Sequence, residues 1–499
     1  MSTEAMAASF ISLDTLHLLI LSILLLFIFL KYNSSKAHSL PPGPSPWPII
    51  GNIPLIRNKP HRALAQLALA HGSLISLRLG TQPVVVASSP AAARAILKTH
   101  DRVLSGRHVP HVSGTKSPER NHLSLGWTVE CTEQWKFLRA LCKTELFGGK
   151  SLDSKTDLRE KKIHEMVKFL GSKEGEAVKI REIVFASAFN LLGNVLVSRD
   201  FVELGEGEEG GMSGVIRKLM ELCTAPNVSD LYPILGRLDL QGLRREADRY
   251  SKKLCGVWES IIRERSEGEE GDGKRKRDFL DVLLENGFSD DQINCLFLEL
   301  FTAGTDTSTS TVEWAMAEMI KNQEAMSKIR EELAREAPNS FIRESDLLHL
   351  HYLHACVKET LRLHPPAPLL LPRRATQKCQ VMSYTIPKDT QIMVNVWAIG
   401  RDPKFWENPL CFKPERFLDS ELDFKGNDFE FLPFGGGRRI CPGLSNAIRQ
   451  VHLTLASLIH HFEWSLPHNL VPDQLDMSEK FGVTLLKEEP LVLVPKRRT

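Results

Sequence analysis

The sequence predicts a mainly α protein with a smaller β portion. Two apolar, β-branched runs at 74–79 and 84–86 flank Gly80-Thr81-Gln82-Pro83 and predict a hairpin. Beyond them most of the chain has helical periodicity, and no interior linker clearly divides the 499 residues. A composition of 42% hydrophobic and 25% charged residues supports a large core. The net charge of +2 argues against a dedicated nucleic-acid surface. The 9 cysteines form no CxxC pair or zinc-like spacing, so buried thiols are expected in a reducing compartment and no disulfide framework is indicated.

The elements follow in order. Residues 10–30 contain an apolar run from Leu18 to Leu30 broken only by Ser22. As a helix this segment spans about 30 Å, one hydrocarbon core. Glu4 and Asp14 precede the run while Lys31 and Lys36 follow it, which places the body of the protein in the cytosol and residues 1–9 across the membrane. A cleaved signal peptide would want a positively charged start and a small-residue cleavage site, and neither is present. Residues 31–52 form a linker and a stiff hinge, Leu40-Pro41-Pro42-Gly43-Pro44 with Pro46, Pro48, Gly51 and Asn52. The body, 53–499, opens with the hairpin. Polar, Gly- and Glu-rich patches at 203–211 and 264–278 read as exposed loops. A long helix is expected to start at Ser289, whose Ser-x-x-Gln pattern with Gln292 is a capping box, and to end near Lys321. Ala303-Gly304-Thr305-Asp306-Thr307-Ser308 is a poor helix interior. Its hydroxyls, bonding back to carbonyls, are expected to open the helix locally and leave room for water or dioxygen. A further β portion is expected at the C-terminal end.

Phe434-Gly435-Gly436-Gly437-Arg438-Arg439-Ile440-Cys441-Pro442-Gly443 carries the chemistry. Its glycines allow close approach to a flat cofactor, and the helix N-terminus after Pro442 can stabilise a Cys441 thiolate. Arg439 can reach a haem propionate. A structural cysteine in a turn is the bland alternative, weakened by the fixed positions around it. This Phe-x-x-Gly-x-Arg-x-Cys-x-Gly arrangement resembles the signature of the cytochrome P450 superfamily.

The resemblance implies a haem-thiolate fold with haem b ligated through iron by Cys441 and contacted by Phe434 and Gly437. Trp135, Arg139, Arg373 and Arg439 would serve the propionates. It implies that Thr307 holds hydrogen bonds around dioxygen and that Asp306 relays protons. Glu359 and Arg362, at i and i+3, would join Arg416 in a buried structural network. Substrate contacts would come from residues 105–127, 297–302, 366–371 and 481–485. Electrons would come from NADPH through cytochrome P450 reductase, steered by Lys136, Lys143 and Arg438. The anchor and hinge resemble the microsomal plant type, which puts the protein on the endoplasmic reticulum membrane with residues 1–9 lumenal.

A closer likeness is to the plant alkaloid-oxidising family that includes N-methylcoclaurine 3'-hydroxylase, berbamunine synthase, corytuberine synthase and littorine mutase. It rests on Cys131-Thr132-Glu133-Gln134-Trp135, Cys142-Lys143-Thr144-Glu145-Leu146-Phe147, Gly426-Asn427-Asp428-Phe429-Glu430, Glu479-Lys480-Phe481-Gly482-Val483-Thr484-Leu485 and the run from His364 to Arg374. That likeness implies a monooxygenase that hydroxylates a benzylisoquinoline or couples its phenols. A terpenoid or simple phenolic is the alternative small apolar or aromatic substrate. A haem carrier without turnover would not need the motif at 303–308.

Overall fold

Gly80, with φ +61°, turns the chain in two residues so that β1 (Leu74–Leu79) folds back on β2 (Gln82–Ala87). The observed strand β2 begins at Gln82, two residues before the Val run that predicted it. In this computed structural model, which describes residues 21–22, 40–56, 58–206, 211–267, 277–338 and 341–498, the hairpin edges a 5-stranded sheet ordered β1-β2-β5-β4-β3. Here β3 is Gly106–Arg107, β4 is Arg373–Arg374 and β5 is Gln391–Val394. β5 runs parallel to β2, while β4 joins β5 and β3 antiparallel. The last described strand, Val492–Arg497, pairs with Phe462–Ser465 and Val178–Lys179, the β portion expected at the C-terminal end.

The rest is helical. The helices that position the site are α1 (Glu133–Cys142), α2 (Thr156–Ser172), α3 (Ile180–Val197), α4 (Leu243–Ser266), α5 (Asp290–Lys321), α6 (His351–Leu363) and α7 (Leu444–His461). α5 starts where the capping box predicts, with Ser289 Oγ accepting from Gln292 N and Gln292 returning to Ser289 N at 2.8 Å. It then crosses the centre of the body. On one side Phe297 and Phe301 pack into Trp258 of α4 and Phe189 of α3, with ring centroids 4.6 Å apart for Phe189 and Phe301. Beyond Thr311, Val312 to Ile320 enters a second core shared with α6 and α7.

One expectation changes, and others fall outside the described residues. The predicted anchor at 10–30, residues 1–9 and the linker at 31–39 lie outside the described residues, apart from helical Leu21 and Ser22. Among the described residues one helix, α3, is long and apolar enough to cross a membrane, but 72% of it is buried, as befits a core helix. Of the patch at 264–278, the first residues continue α4 to Ser266 and Asp278 caps the next helix; residues 268–276, like 207–210, lie outside the described residues.

Candidate active site

Between the sheet and α7 the chain forms the cysteine loop. Gly435 and Gly437 sit at φ +70° and +68°, where a side chain is strained, and Cys441 N closes the turn on Phe434 O at 3.0 Å. A Cβ on Gly437 would strike the Leu97 carbonyl and Asp101, so this glycine fits the loop to its neighbours and does not line the cavity, whereas Phe434, Gly435 and Gly436 do. Cys441 sits just before α7. Burial pushes its thiol pKa up, and backbone N–H groups of Gly443 and Leu444, with the Arg139 guanidinium, pull it back toward the thiolate.

Four guanidiniums converge beside this loop. Arg107 and Arg373 are register partners on β3 and β4. Arg439 follows the glycines, and Arg139 comes from α1. Arg373 pairs with Asp101 at 2.9 Å and donates to Gly436 O at 2.7 Å. The others donate to carbonyls: Arg107 to Gly126 and Leu371, Arg439 to Ser105 and Thr128, Arg139 to Ile440. Burial drives all four pKa values down, that of Arg439 to about 10, and Arg107 is lowered further by Arg439 and Arg373. So much buried positive charge around one paired carboxylate calls for an anionic ligand with more than one carboxylate. Trp135 does not join them as a donor to the cavity. Its indole N–H is held by Leu125 O at 2.8 Å, and its ring lies 4.5 Å from the Arg439 guanidinium.

A cavity of about 720 Å³ opens from this cluster, with Cys441 and Thr307 both in its wall. α5 borders it with Ala303 and Gly304, exposed positions in an otherwise buried stretch. The helix runs unbroken through 303–308. The back-bonds are present: Thr305 Oγ1 to Phe301 O at 2.8 Å and Thr307 Oγ1 to Ala303 O at 2.9 Å. Asp306 lies outside the cavity wall, where Arg181 of α3 donates to it at 3.3 Å. Of the anticipated substrate segments, Leu298, Glu299, Leu300 and Thr302 face the cavity while Phe297 and Phe301 turn to the core. Pro366, Ala367, Leu370 and Leu371 line it, as does Val483, but Phe481 stacks on His61 instead, with centroids 5.5 Å apart.

Glu359 and Arg362 form a fully buried two-point pair, both bonds 2.7 Å, and Arg416 reaches the same carboxylate at 3.0 Å. Lys413 N also donates to it, and Arg362 ties in the carbonyls of Gly400, Pro409 and Cys411. Lys136, Lys143 and Arg438 are all exposed near the loop, with Lys136 paired to Glu133 at 2.6 Å and Arg438 to Asp101 at 3.3 Å. Asp101 and Arg181 were not legible in the sequence, and Arg107 and Glu299 were anticipated only as members of the substrate segments 105–127 and 297–302. Arg107, Asp101 and Arg181 carry no local motif and meet their partners only through strand pairing or helix packing; Glu299 gave a signal, an acid within the apolar run 296–301 of α5.

The cavity walls and donors fit a haem. Cys441 offers a thiol beside two backbone donors, Gly435 and Gly436 leave room for a flat ring, and the arginines match its carboxylates. The family model for Cytochrome P450 matches residues 41–494. The chain is 52% identical over 476 residues to a probable (S)-N-methylcoclaurine 3'-hydroxylase isozyme 2 from Coptis japonica, covering 95% of this chain and 96% of that protein. It is 48% identical over 474 residues to (S)-N-methylcoclaurine 3'-hydroxylase isozyme 1 from Eschscholzia californica, covering 94% and 97%. Corytuberine synthase from Coptis japonica is 46% identical over 480 residues, covering 95% and 97%.

Proposed function

The chain belongs to the cytochrome P450 family, and from that premise we propose that it oxidises a benzylisoquinoline alkaloid with dioxygen and electrons from NADPH, by aromatic hydroxylation or phenol coupling. The observation that carries this reading is one cavity bounded by Cys441, the arginine cluster and the Ala303–Thr307 turn of α5. Cys441 would ligate the iron, and Arg107, Arg139, Arg373 and Arg439 would hold the haem carboxylates. Bound there, a haem with a thiolate ligand supplies a centre that favours O–O cleavage.

The protein's own residues supply order and protons. Thr307 Oγ1 keeps its hydrogen on Ala303 O, so its oxygen can accept a hydrogen bond from the cavity. Asp306, one residue away and paired with Arg181, would refill that site with protons from the side of α5 away from the cavity. Leu370, Leu371 and Val483 keep water from the reacting ring.

The same reading places the body on the endoplasmic reticulum membrane through the apolar segment 10–30. Supporting it, the hinge and a distant segment present apolar side chains together: Ile49 and Ile234 are 76% and 90% exposed, and Tyr232 Oη donates to Ile49 O at 3.2 Å. Exposed Lys143 and Arg438, beside the cysteine loop, would steer an acidic reductase. The test is NADPH consumption by the chain in membranes with reductase. A benzylisoquinoline should stimulate it well above the substrate-free rate, and no stimulation would count against the reading.

A further inference from the structure

Glu299 lies on α5 one turn before Ala303, on the wall of the cavity. The residue is partly exposed and borders the cavity. It accepts from Leu125 N at 2.8 Å, from Gly126 N at 2.9 Å and from Ser124 Oγ. All three donors are neutral. A carboxylate has about four acceptor positions, so they orient the group and leave one free.

Burial drives its pKa up, while these donors and the Arg439 guanidinium restrain the rise. Arg439 is the guanidinium assigned above to a haem carboxylate, so its charge is shared once that group is bound. The other acids on the wall differ. Asp291 is well exposed and pairs with Arg120 at 3.5 Å, and Asp248 has Arg244 and Lys252 one helical turn to either side on α4. Glu299 is therefore the carboxylate that offers its charge to the cavity interior.

We propose that Glu299 is the counter-ion for a protonated tertiary amine in the substrate, and that it selects cationic alkaloids over neutral molecules of the same shape. The inference rests on the alkaloid reading above. An ammonium entering an apolar cavity loses its hydration, and an oriented carboxylate offsets that loss where aliphatic walls cannot. A neutral ligand gains nothing from the same group.

The test compares two ligands of the haem-loaded full chain in membranes, read by the change in haem absorbance on binding. One is an N-methylated benzylisoquinoline; the other is its N-formyl analogue, with the same rings and an uncharged nitrogen. The wild-type protein should prefer the amine by roughly tenfold or more, the scale of one charge-assisted contact. Glu299→Gln should erase that preference by weakening the amine alone, and Glu299→Asp should keep part of it. Equal affinities in the wild type would overturn the proposal, and that comparison needs no variant to fold. Parallel loss of both ligands in Glu299→Gln would also overturn it, because a purely structural tie to residues 124–126 gives that pattern. If the wild type bound neither ligand, the alkaloid reading would fall and the counter-ion with it, an outcome distinct from equal binding of both.

Discussion

Replacing Cys441 with Ser leaves the loop's glycines and the Phe434 turn in place while removing the only sulfur the cavity loop offers. The variant should lose the absorbance band at about 450 nm that a thiolate-ligated, reduced carbonyl haem gives. A surviving band would remove Cys441 as the ligand. Thr307→Ala deletes the hydroxyl back-bonded to Ala303 without touching the apolar packing of α5. NADPH consumption should continue while product per NADPH falls by roughly tenfold or more, the weight of one positioned acid–base group, with hydrogen peroxide making up the difference. Tightly coupled turnover would show that Thr307 does not handle the proton. Both residues were legible in the sequence because each sits in a contiguous motif. Arg107 was not: its meaning depends on Arg373, which strand pairing brings opposite it from far along the chain.

At the scale of elements, α6 and α7 decide whether the site survives. The Glu359 carboxylate gathers Arg362, Arg416 and Lys413 N in a fully buried place, so Glu359→Gln strands a buried guanidinium. It should destabilise the body by about 3–5 kcal/mol in denaturant unfolding, the cost of breaking a buried pair from one side. A loss under about 1 kcal/mol, the range of surface pairs, would contradict a structural role. Where α6 meets α7, His354 and His452 stack at 4.4 Å. Burial lowers His354 from 6.5 to about 4, with Lys358 adding to the effect, and lowers His452 to about 3. As pH falls below 6.5 the unfolded chain takes up these protons first, so stability present at neutral pH is lost progressively down to the folded values. His354→Phe should flatten the fall of the unfolding midpoint between pH 6.5 and about 4. An unchanged slope would mean that the pair does not titrate as its burial implies. The sequence showed α5 with its capping box, but it could not show that threonine back-bonding leaves the helix unbroken; packing against α3 and α4 holds it continuous.

For the whole molecule, the mainly α fold, the hairpin and the order of motifs were readable from periodicity and turn chemistry, which are local. The shared cavity was not, because its wall draws on β3, α1, α3, α4, α5 and the cysteine loop at once. Substrate-facing positions were half legible for the same reason. Leu370 and Val483 face the cavity, while Phe297 and Phe481, equally apolar in sequence, pack into the aromatic core and onto His61. The central claim is that this cavity oxidises a benzylisoquinoline, and product mass tests it most directly. The chain in membranes, with reductase and NADPH, should convert such a substrate to a product that gains one oxygen or loses two hydrogens, and only when NADPH is present. Substrate recovered unchanged, from protein that shows the thiolate carbonyl band, would contradict the claim.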